Sequence, residues 1–313
     1  MTITVLKPGL QTTIQSSPRV GLRHQGVASG GAADPLSLAL ANRLVANVWD
    51  AAALEATLLG PKLRFGVPCA FGIAGAIAAV TLNGKSVAFH ETCFAAAGDE
   101  LAIGATETGG RTYIAFAGGL DAAKVLGSQS TYLLAGLGGH EGRALETGDT
   151  LQLNPAVTEK HSTPDVFRPP MSSSRALRAC ASFEAEQLPG DALETLFETN
   201  WVVGRRADRM GLQLDGPRLD ISSSGRMPSA AVFPGTVQCP EGGLPYLLSV
   251  DAGPVGGYPR VAQVIRADRH VLGQLKPGDH VRLLRREQQE AADDLRAKLD
   301  YWGEWLGDVE QVI

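Results

Sequence analysis

One short pattern occurs three times in this chain: a Gly-Asp pair followed at once by residues that alternate between apolar and polar. Glycine and aspartate together favour a tight turn, and the alternation is typical of a β-strand with one buried face. A weaker echo around a Gly-Pro pair links residues 59–63 to residues 214–219. Because copies lie in both halves, we predict two related β-rich halves. The three copies are Gly98-Asp99 before residues 100–103, Gly148-Asp149 before residues 150–153, and Gly278-Asp279 before residues 280–283.

The segment between the halves differs in composition. Residues 154–174 contain four prolines and three consecutive serines with little apolar periodicity, which is typical of a linker. We therefore predict an N-terminal β-rich domain over 1–155, a linker over 156–174, and a C-terminal β-barrel domain with a terminal helix over 175–313. Asn83-Gly84 predicts a type I′ hairpin, and antiparallel barrels are favoured over a parallel α/β sheet.

Two helices are indicated. Asp34 can cap a helix whose first turn contains Pro35 and whose leucines recur every four residues up to Leu44. A second helix is predicted from about Glu287 to Trp305, with apolar residues on one side and charges on the other.

Composition excludes several classes of function. The chain has 313 residues, 44% of them hydrophobic, and a formal net charge of −5. A nucleic acid or an anionic membrane surface attracts basic proteins, so neither partner is expected. The longest apolar run, residues 70–80, is too short to span a bilayer, and the first residues lack a signal-peptide pattern. We expect a cytoplasmic protein.

The four cysteines are far apart, with no C-x-x-C pair and no histidine at metal-ligand spacing. This favours buried apolar residues over disulfides, zinc ligands or a nucleophile, and we expect no metal. The cysteines are Cys69, Cys93, Cys180 and Cys239.

Residues 118–145 form a glycine-rich stretch interleaved with hydroxyl side chains and one arginine. Glycine allows a backbone to approach a ligand or a partner closely, so Gly127, Ser128 and Ser130 are candidates for binding substrate oxygens. The alternative is a long connection across the mouth of a barrel, with the hydroxyls bonded to local backbone. Neither a P-loop nor a dinucleotide fingerprint is present.

A series of short motifs runs in order along nearly the whole chain. It includes Arg23-His24-Gln25-Gly26-Val27, Gly31-Ala32-Ala33-Asp34-Pro35, Asp208-Arg209-Met210-Gly211, Pro234-Gly235-Thr236-Val237-Gln238-Cys239-Pro240 and Gly256-Gly257-Tyr258-Pro259. The series resembles the KipA family, the third subunit of bacterial 5-oxoprolinase. That family is also described as allophanate hydrolase subunit 2 and as the second half of the urea carboxylase carboxyltransferase domain.

The resemblance implies a mainly β fold of two cyclophilin-like β-barrel domains with a few helices. It also implies a heteromer with a KipI-like protein, allophanate hydrolase subunit 1, and with an amidohydrolase-like third protein. Together these open 5-oxoproline to glutamate with ATP, so ATP binding is implied through the complex. The chain lacks a Met-Lys-Met motif and therefore carries no covalent biotin.

The candidate catalytic residues are Asp208, Arg209 and Asp34. Arginine offers a planar donor fork for a carboxylate or amide, and aspartate offers an acceptor or a base. The alternative for Asp208 and Arg209 is a turn aspartate and an interdomain salt bridge. Gly256, Gly257 and Tyr258 are candidates for substrate binding, because that backbone suits a tyrosine aimed into a cleft. We expect these residues to converge on one cleft, together with Gly127–Ser130 or Asp34.

Three functions stay open on the sequence. The first is a hydrolase subunit that opens the amide of a small lactam or ureido acid. The second is the carboxyltransferase half of a biotin-dependent urea carboxylase-like enzyme, which needs a separate biotin carboxylase and carrier. The third is a non-catalytic regulatory module. It is favoured by the segment Asp251-Ala252-Gly253-Pro254-Val255. The family usually has Asp-Arg-Gln-Thr there, so three polar groups are missing from this chain.

Overall fold

A computed structural model describes residues 1–185, 188–221, 227–307 and 309–313. The chain divides into two compact units. The first contains Met1–Arg19, Gly30–Met171 and Trp302–Val312, and the second contains Val20–Ser29, Ser172–Tyr301 and Ile313. The predicted domain boundaries at 155 and 175 stay a prediction.

The first unit is built on a nine-stranded sheet that curls into a half-barrel. Its longest strand, β8, pairs antiparallel with β3, β4 and β5. The apolar side chains of these strands form one buried core. The strands are β1 (Thr2–Lys7), β2 (Gln11–Gln15), β3 (Ala53–Thr57), β4 (Lys62–Phe65), β5 (Cys69–Leu82), β6 (Lys85–Ser86), β7 (Thr92–Ala95), β8 (Glu100–Phe116) and β9 (Thr150–Gln152).

Local sequence signals placed two elements of this unit correctly. The helix α1 (Pro35–Arg43) begins at Asp34, whose carboxylate accepts a hydrogen bond of 3.0 Å from the Ser37 amide. The predicted hairpin joins β5 to β6 through Asn83 and Gly84, both with positive φ. Both predictions are confirmed.

The second unit contains a closed seven-stranded barrel, in the order β10-β17-β14-β15-β12-β11-β18. Closure is made by β10 and β18, which run parallel, whereas the other pairs are antiparallel. The strands are β10 (Ser174–Ala181), β11 (Asn200–Ala207), β12 (Gly211–Asp215), β14 (Thr236–Gln238), β15 (Tyr246–Leu248), β17 (Arg260–Val264) and β18 (His280–Arg285), and a separate two-stranded sheet pairs β13 (Ala230–Ala231) with β16 (Val255–Gly256). The predicted mainly β fold is confirmed.

Two further α-helices lie in the C-terminal half of the chain. The helix α2 (Ala192–Glu198) buries Leu196 and Phe197. The helix α3 (Gln288–Leu306) confirms the predicted terminal helix, and its Trp302 packs on Phe167 with ring centroids 5.9 Å apart. None of the helices in the described residues combines the length and apolar character that a membrane crossing needs.

The three Gly-Asp turns share one geometry. Each glycine has a φ of 90 to 96°, in the left-handed region that favours glycine. In each turn the aspartate carboxylate accepts a hydrogen bond from the amide three residues earlier, at 2.7, 2.7 and 3.1 Å. Each pair also exchanges two backbone hydrogen bonds with one residue of a neighbouring strand: Phe65, Val5 and Val203 respectively. The turns begin β8, β9 and β18, as the sequence pattern predicts.

All four cysteines are free. Cys239 is buried, as expected, whereas Cys69, Cys93 and Cys180 are only partly buried. Burial raises the pKa of the Cys69 and Cys239 thiols to about 11. Both therefore stay protonated and unreactive near neutral pH.

The glycine-rich stretch packs closely against its own unit. A Cβ at Gly139 would lie 1.8 Å from Oγ1 of Thr131, which itself donates a hydrogen bond of 3.0 Å to the Ile14 carbonyl. The arginine of the stretch, Arg143, binds both carboxylate oxygens of Asp149 at 2.8 and 2.9 Å. Close approach of the chain to itself explains this glycine, and an ion pair explains the arginine.

We predict that Gly139→Ala destabilises the protein more than Gly127→Ala does. Both glycines have positive φ, so alanine at either position costs about 1–2 kcal/mol of backbone strain. At Gly139 the clash with Thr131 adds about 1–3 kcal/mol, whereas a Cβ at Gly127 would have no neighbour within 4 Å. Urea unfolding of both variants measures the difference, and equal losses would contradict the packing explanation.

Candidate functional site

The predicted substrate-binding serines are buried within the first unit. The Ser128 hydroxyl donates to the Ser17 carbonyl at 2.6 Å and accepts from the Ser130 amide at 3.0 Å. The Ser130 hydroxyl accepts from the Ser16 amide at 2.8 Å. Gly127 lies in an exposed tight turn closed by hydrogen bonds between Val125 and Ser128. The hydroxyls thus hold the chain that follows β2, and a role in substrate binding stays a prediction.

Asp34 is also buried in the first unit, with 2% of its surface exposed. Its carboxylate caps α1, and its amide donates to the Tyr113 hydroxyl at 2.8 Å. That hydroxyl donates to Glu55, at 2.7 Å, and Arg111 lies 3.3 Å from the same carboxylate. Burial, with the charges of Glu55 and Asp34, raises the pKa of Tyr113 well above its usual value. Asp34 is part of a connected polar core.

The structure pairs Arg209 with Asp251 rather than with Asp208. The Arg209 guanidinium binds both oxygens of Asp251, at 2.7 and 3.0 Å, and each side chain is 5% exposed. Asp208 is exposed, and its carboxylate accepts from the amides of Met210 and Gly211 at 2.7 and 3.1 Å. Asp208 is therefore the turn aspartate of the alternative interpretation. The salt bridge of Arg209 lies within the second unit.

The third predicted group, residues 256–258, lies in the second unit as well. Gly256 is in β16, and a Cβ there would lie 2.4 Å from the Gln238 side chain. The same Gln238 donates to the Tyr258 carbonyl at 3.1 Å. Tyr258 is 48% exposed and lines a groove, and its role in substrate binding stays a prediction. The convergence of these residues with Gly127–Ser130 or Asp34, which lie in the other unit, stays a prediction.

The groove has a volume of about 680 Å³ and runs along the outside of the barrel. The side chains of β12 alternate between the barrel core and the groove. Leu212 and Leu214 are buried in the core, and Gln213 and Asp215 face the groove. Three arginines line it against one aspartate, together with two tyrosines. The lining residues are Arg205, Arg206, Gln213, Asp215, Arg218, Pro240, Gly242, Leu244, Tyr246 and Tyr258.

Among the polar side chains that line this groove, hydrogen-bond donors outnumber acceptors. Arg205 and Arg206 are exposed, and within the described parts of the chain their guanidinium groups make no hydrogen bond or ion pair. Arg218 donates to the Gly242 carbonyl. Burial raises the pKa of Tyr246, and the charge of Asp208 raises it further while Arg206 lowers it. Asp208 therefore acts on the groove through its charge. Free guanidinium groups beside tyrosine hydroxyls can bind a carboxylate and polarise an amide carbonyl.

The three arginines of the groove and Tyr246 are not among the site residues predicted from the sequence. One signal was available: two consecutive arginines directly precede the Ala207-Asp208-Arg209 motif. Arg218 lies in the Gly-Pro echo, which indicated only a repeat. Across the described residues, no group of three or more histidine, cysteine, aspartate or glutamate side chains could hold a metal ion.

The chain belongs to the family of the carboxyltransferase domain, subdomains A and B, which matches residues 25–285. The resemblance to KipA-type proteins is confirmed, since the C subunit of Escherichia coli 5-oxoprolinase is 32% identical over 298 residues. That match covers 95% of this chain and 94% of the relative.

Another relative is a longer protein. Urea amidolyase of Lachancea kluyveri is 34% identical over 304 residues, and the match covers 90% of this chain but only 17% of that protein. Among solved structures, Kluyveromyces lactis urea carboxylase superposes with a TM-score of 0.89 at 28% identity. The superposition covers 96% of this chain and 29% of that one.

We predict that the Arg209–Asp251 pair is needed for stability. Arg209→Met leaves a buried carboxylate without its partner, which costs about 3–5 kcal/mol. The double variant Arg209→Met/Asp251→Leu removes both charges and should recover most of that loss. Urea unfolding measures both variants.

The matched control is Asp208→Asn, which keeps an acceptor for the turn amides and should cost less than about 1 kcal/mol. If the double variant is as unstable as Arg209→Met alone, the unpaired charge is not the cause of the loss.

Proposed function

We propose that this chain is a component of an ATP-dependent 5-oxoprolinase-like complex. In that complex it acts with a KipI-like partner on the amide of a small lactam or ureido acid. The observation that carries the proposal is the match to the C subunit of 5-oxoprolinase, which extends over nearly the full length of both proteins. A relative that matches over its whole length supports a shared role more strongly than a relative of which only a small part matches.

The groove of the second unit fits this substrate class. A lactam acid such as 5-oxoproline carries one carboxylate and one amide carbonyl. Arg205 and Arg206 supply charged donors for the carboxylate, and Tyr246 and Tyr258 supply hydroxyl donors for the carbonyl. In this proposal the chain binds and orients the substrate. ATP is a reactant of the complex as a whole, and an amidohydrolase-like third protein supplies the hydrolase activity.

A second candidate is the carboxyltransferase half of a urea carboxylase-like enzyme. The family match over residues 25–285 and the superposition on the K. lactis urea carboxylase favour it. In that case the groove binds a urea-like acceptor, and the partners include a biotin carboxylase and a carrier. Both candidates are heteromers, and we propose that both are cytoplasmic.

We predict that the chain forms a stable complex with its KipI-like partner. Co-expression of the two proteins followed by size-exclusion chromatography should give one peak that contains both. A KipI-like protein from an unrelated complex serves as the control for non-specific association. Separate elution at micromolar concentration would contradict the pairing.

We also predict that the complex with the amidohydrolase-like protein hydrolyses ATP in the presence of 5-oxoproline. Arg205→Met should raise KM for 5-oxoproline about tenfold, because it removes a charge-assisted hydrogen bond to the carboxylate. Arg282→Met is the matched control, since Arg282 is exposed on β18 and lies outside the groove.

Three results would count against this function. ATP hydrolysis that does not depend on 5-oxoproline removes the oxoprolinase assignment. Carboxylation of urea upon addition of a biotin carboxylase and carrier favours the second candidate. A stable complex without either activity favours the regulatory function that the Ala252 to Val255 segment suggests.

A further inference from the structure

The second unit contains another cavity, of about 480 Å³, with no lining residue in common with the groove. Its wall includes Ala181 of β10, Thr236 of β14 and Gln263 of β17, which are neighbouring strands of the barrel. Arg269 enters it from the 3₁₀-helix Arg266–Gln274. The polar part of this wall is rigid, because the Thr236 hydroxyl donates to Gln263 Oε1 at 2.7 Å and the Gln263 amide donates to the Pro234 carbonyl at 3.0 Å.

Arg269 is the distinctive residue of this cavity. Its Nε is buried and has no hydrogen-bond acceptor in the described chain. A buried guanidinium nitrogen without an acceptor is costly, and a native structure retains one only with a reason. Such a group suggests that a bound anion completes the arrangement.

The surrounding charges point the same way. Burial lowers the pKa of Arg269, and the positive charges of Arg266 and Arg23 lower it further. The carboxylate of Glu184 is held by another residue of the cavity, since Arg260 binds its two oxygens at 2.8 and 2.6 Å. Glu184 therefore balances the charge of Arg260 rather than that of Arg269, and the field at Arg269 favours an anion.

Two exposed aromatic rings also line the cavity. Phe183 is 84% exposed and Phe233 is 48% exposed. Arginines already lie over both rings, with Arg260 at 5.7 Å from the centroid of Phe183 and Arg23 at 5.3 Å from that of Phe233. An exposed phenyl ring next to cations offers a surface for the apolar part of a ligand whose anionic part is bound by arginine.

We propose that this cavity is a second binding site, which takes a small organic anion. The carboxylate or phosphate of the ligand pairs with Arg269, and its apolar or planar body lies against Phe183 and Phe233. The inference is independent of the proposed function, because it uses none of the groove residues and needs no turnover.

The test is isothermal titration calorimetry of the full chain with phenyl phosphate, benzoate and the neutral analogue benzyl alcohol. We expect one or both anions to bind at millimolar concentration or below, and benzyl alcohol not to bind. Preference between the two anions identifies the ligand group as phosphate or carboxylate. Arg269→Met should weaken binding of the anion about tenfold or more, because a charge-assisted hydrogen bond is lost.

Two control variants locate the site. Arg205→Met removes a charge from the groove and Arg282→Met removes one from β18, and both should leave the affinity unchanged. Phe183→Ala changes a surface ring, so it should fold, and it should weaken phenyl phosphate but not inorganic phosphate. The proposal is overturned if neither anion binds, if Arg269→Met binds like the unchanged protein, or if Arg205→Met alone abolishes binding. If Arg269→Met does not fold, the proposal is overturned when Phe183→Ala binds phenyl phosphate with unchanged affinity.

Discussion

The Gly-Asp turns that begin β8, β9 and β18 are the constraint on which both units depend. Each turn bonds its aspartate to the amide three residues earlier and exchanges two hydrogen bonds with a neighbouring strand. It therefore sets where the strand starts, and a slip of one residue would turn every side chain to the wrong face. From these starting points β8 pairs with three strands of the curled sheet, and β18 closes the barrel between β10 and β11.

Closure of the barrel fixes the positions of the side chains on its outer face. A closed barrel has no free edge, so β11, β12 and β15 are paired on both sides and their outward side chains are held in fixed rows. Leu214 and Leu247 fill the core, while Asp215 and Tyr246 on the opposite faces line the groove. The arginines beside them remain solvated, which makes their charge available to a ligand.

Charged groups in the interior, unlike the solvated arginines of the groove, depend on contacts with other protein groups. Burial removes water from a charge, so each buried charge needs a partner with good geometry. The Arg209–Asp251 pair and the bond from Tyr113 to Glu55 satisfy that need. For this reason Arg209 and Asp34, which stand out in the motifs, are held in buried polar contacts, whereas Arg205 and Arg206 of the groove are exposed.

The sequence by itself determined the local elements: the Gly-Asp turns, the Asn83-Gly84 hairpin, the Asp34 cap and the terminal helix. Each depends on residues a few positions apart, whose backbone preferences act without the rest of the chain. It also identified the family. Only the tertiary structure decided that Arg209 binds Asp251, 42 positions away, and that Arg205 and Tyr246 share a groove. Pairing between distant strands brings such residues together, and the register of that pairing is a property of the whole barrel.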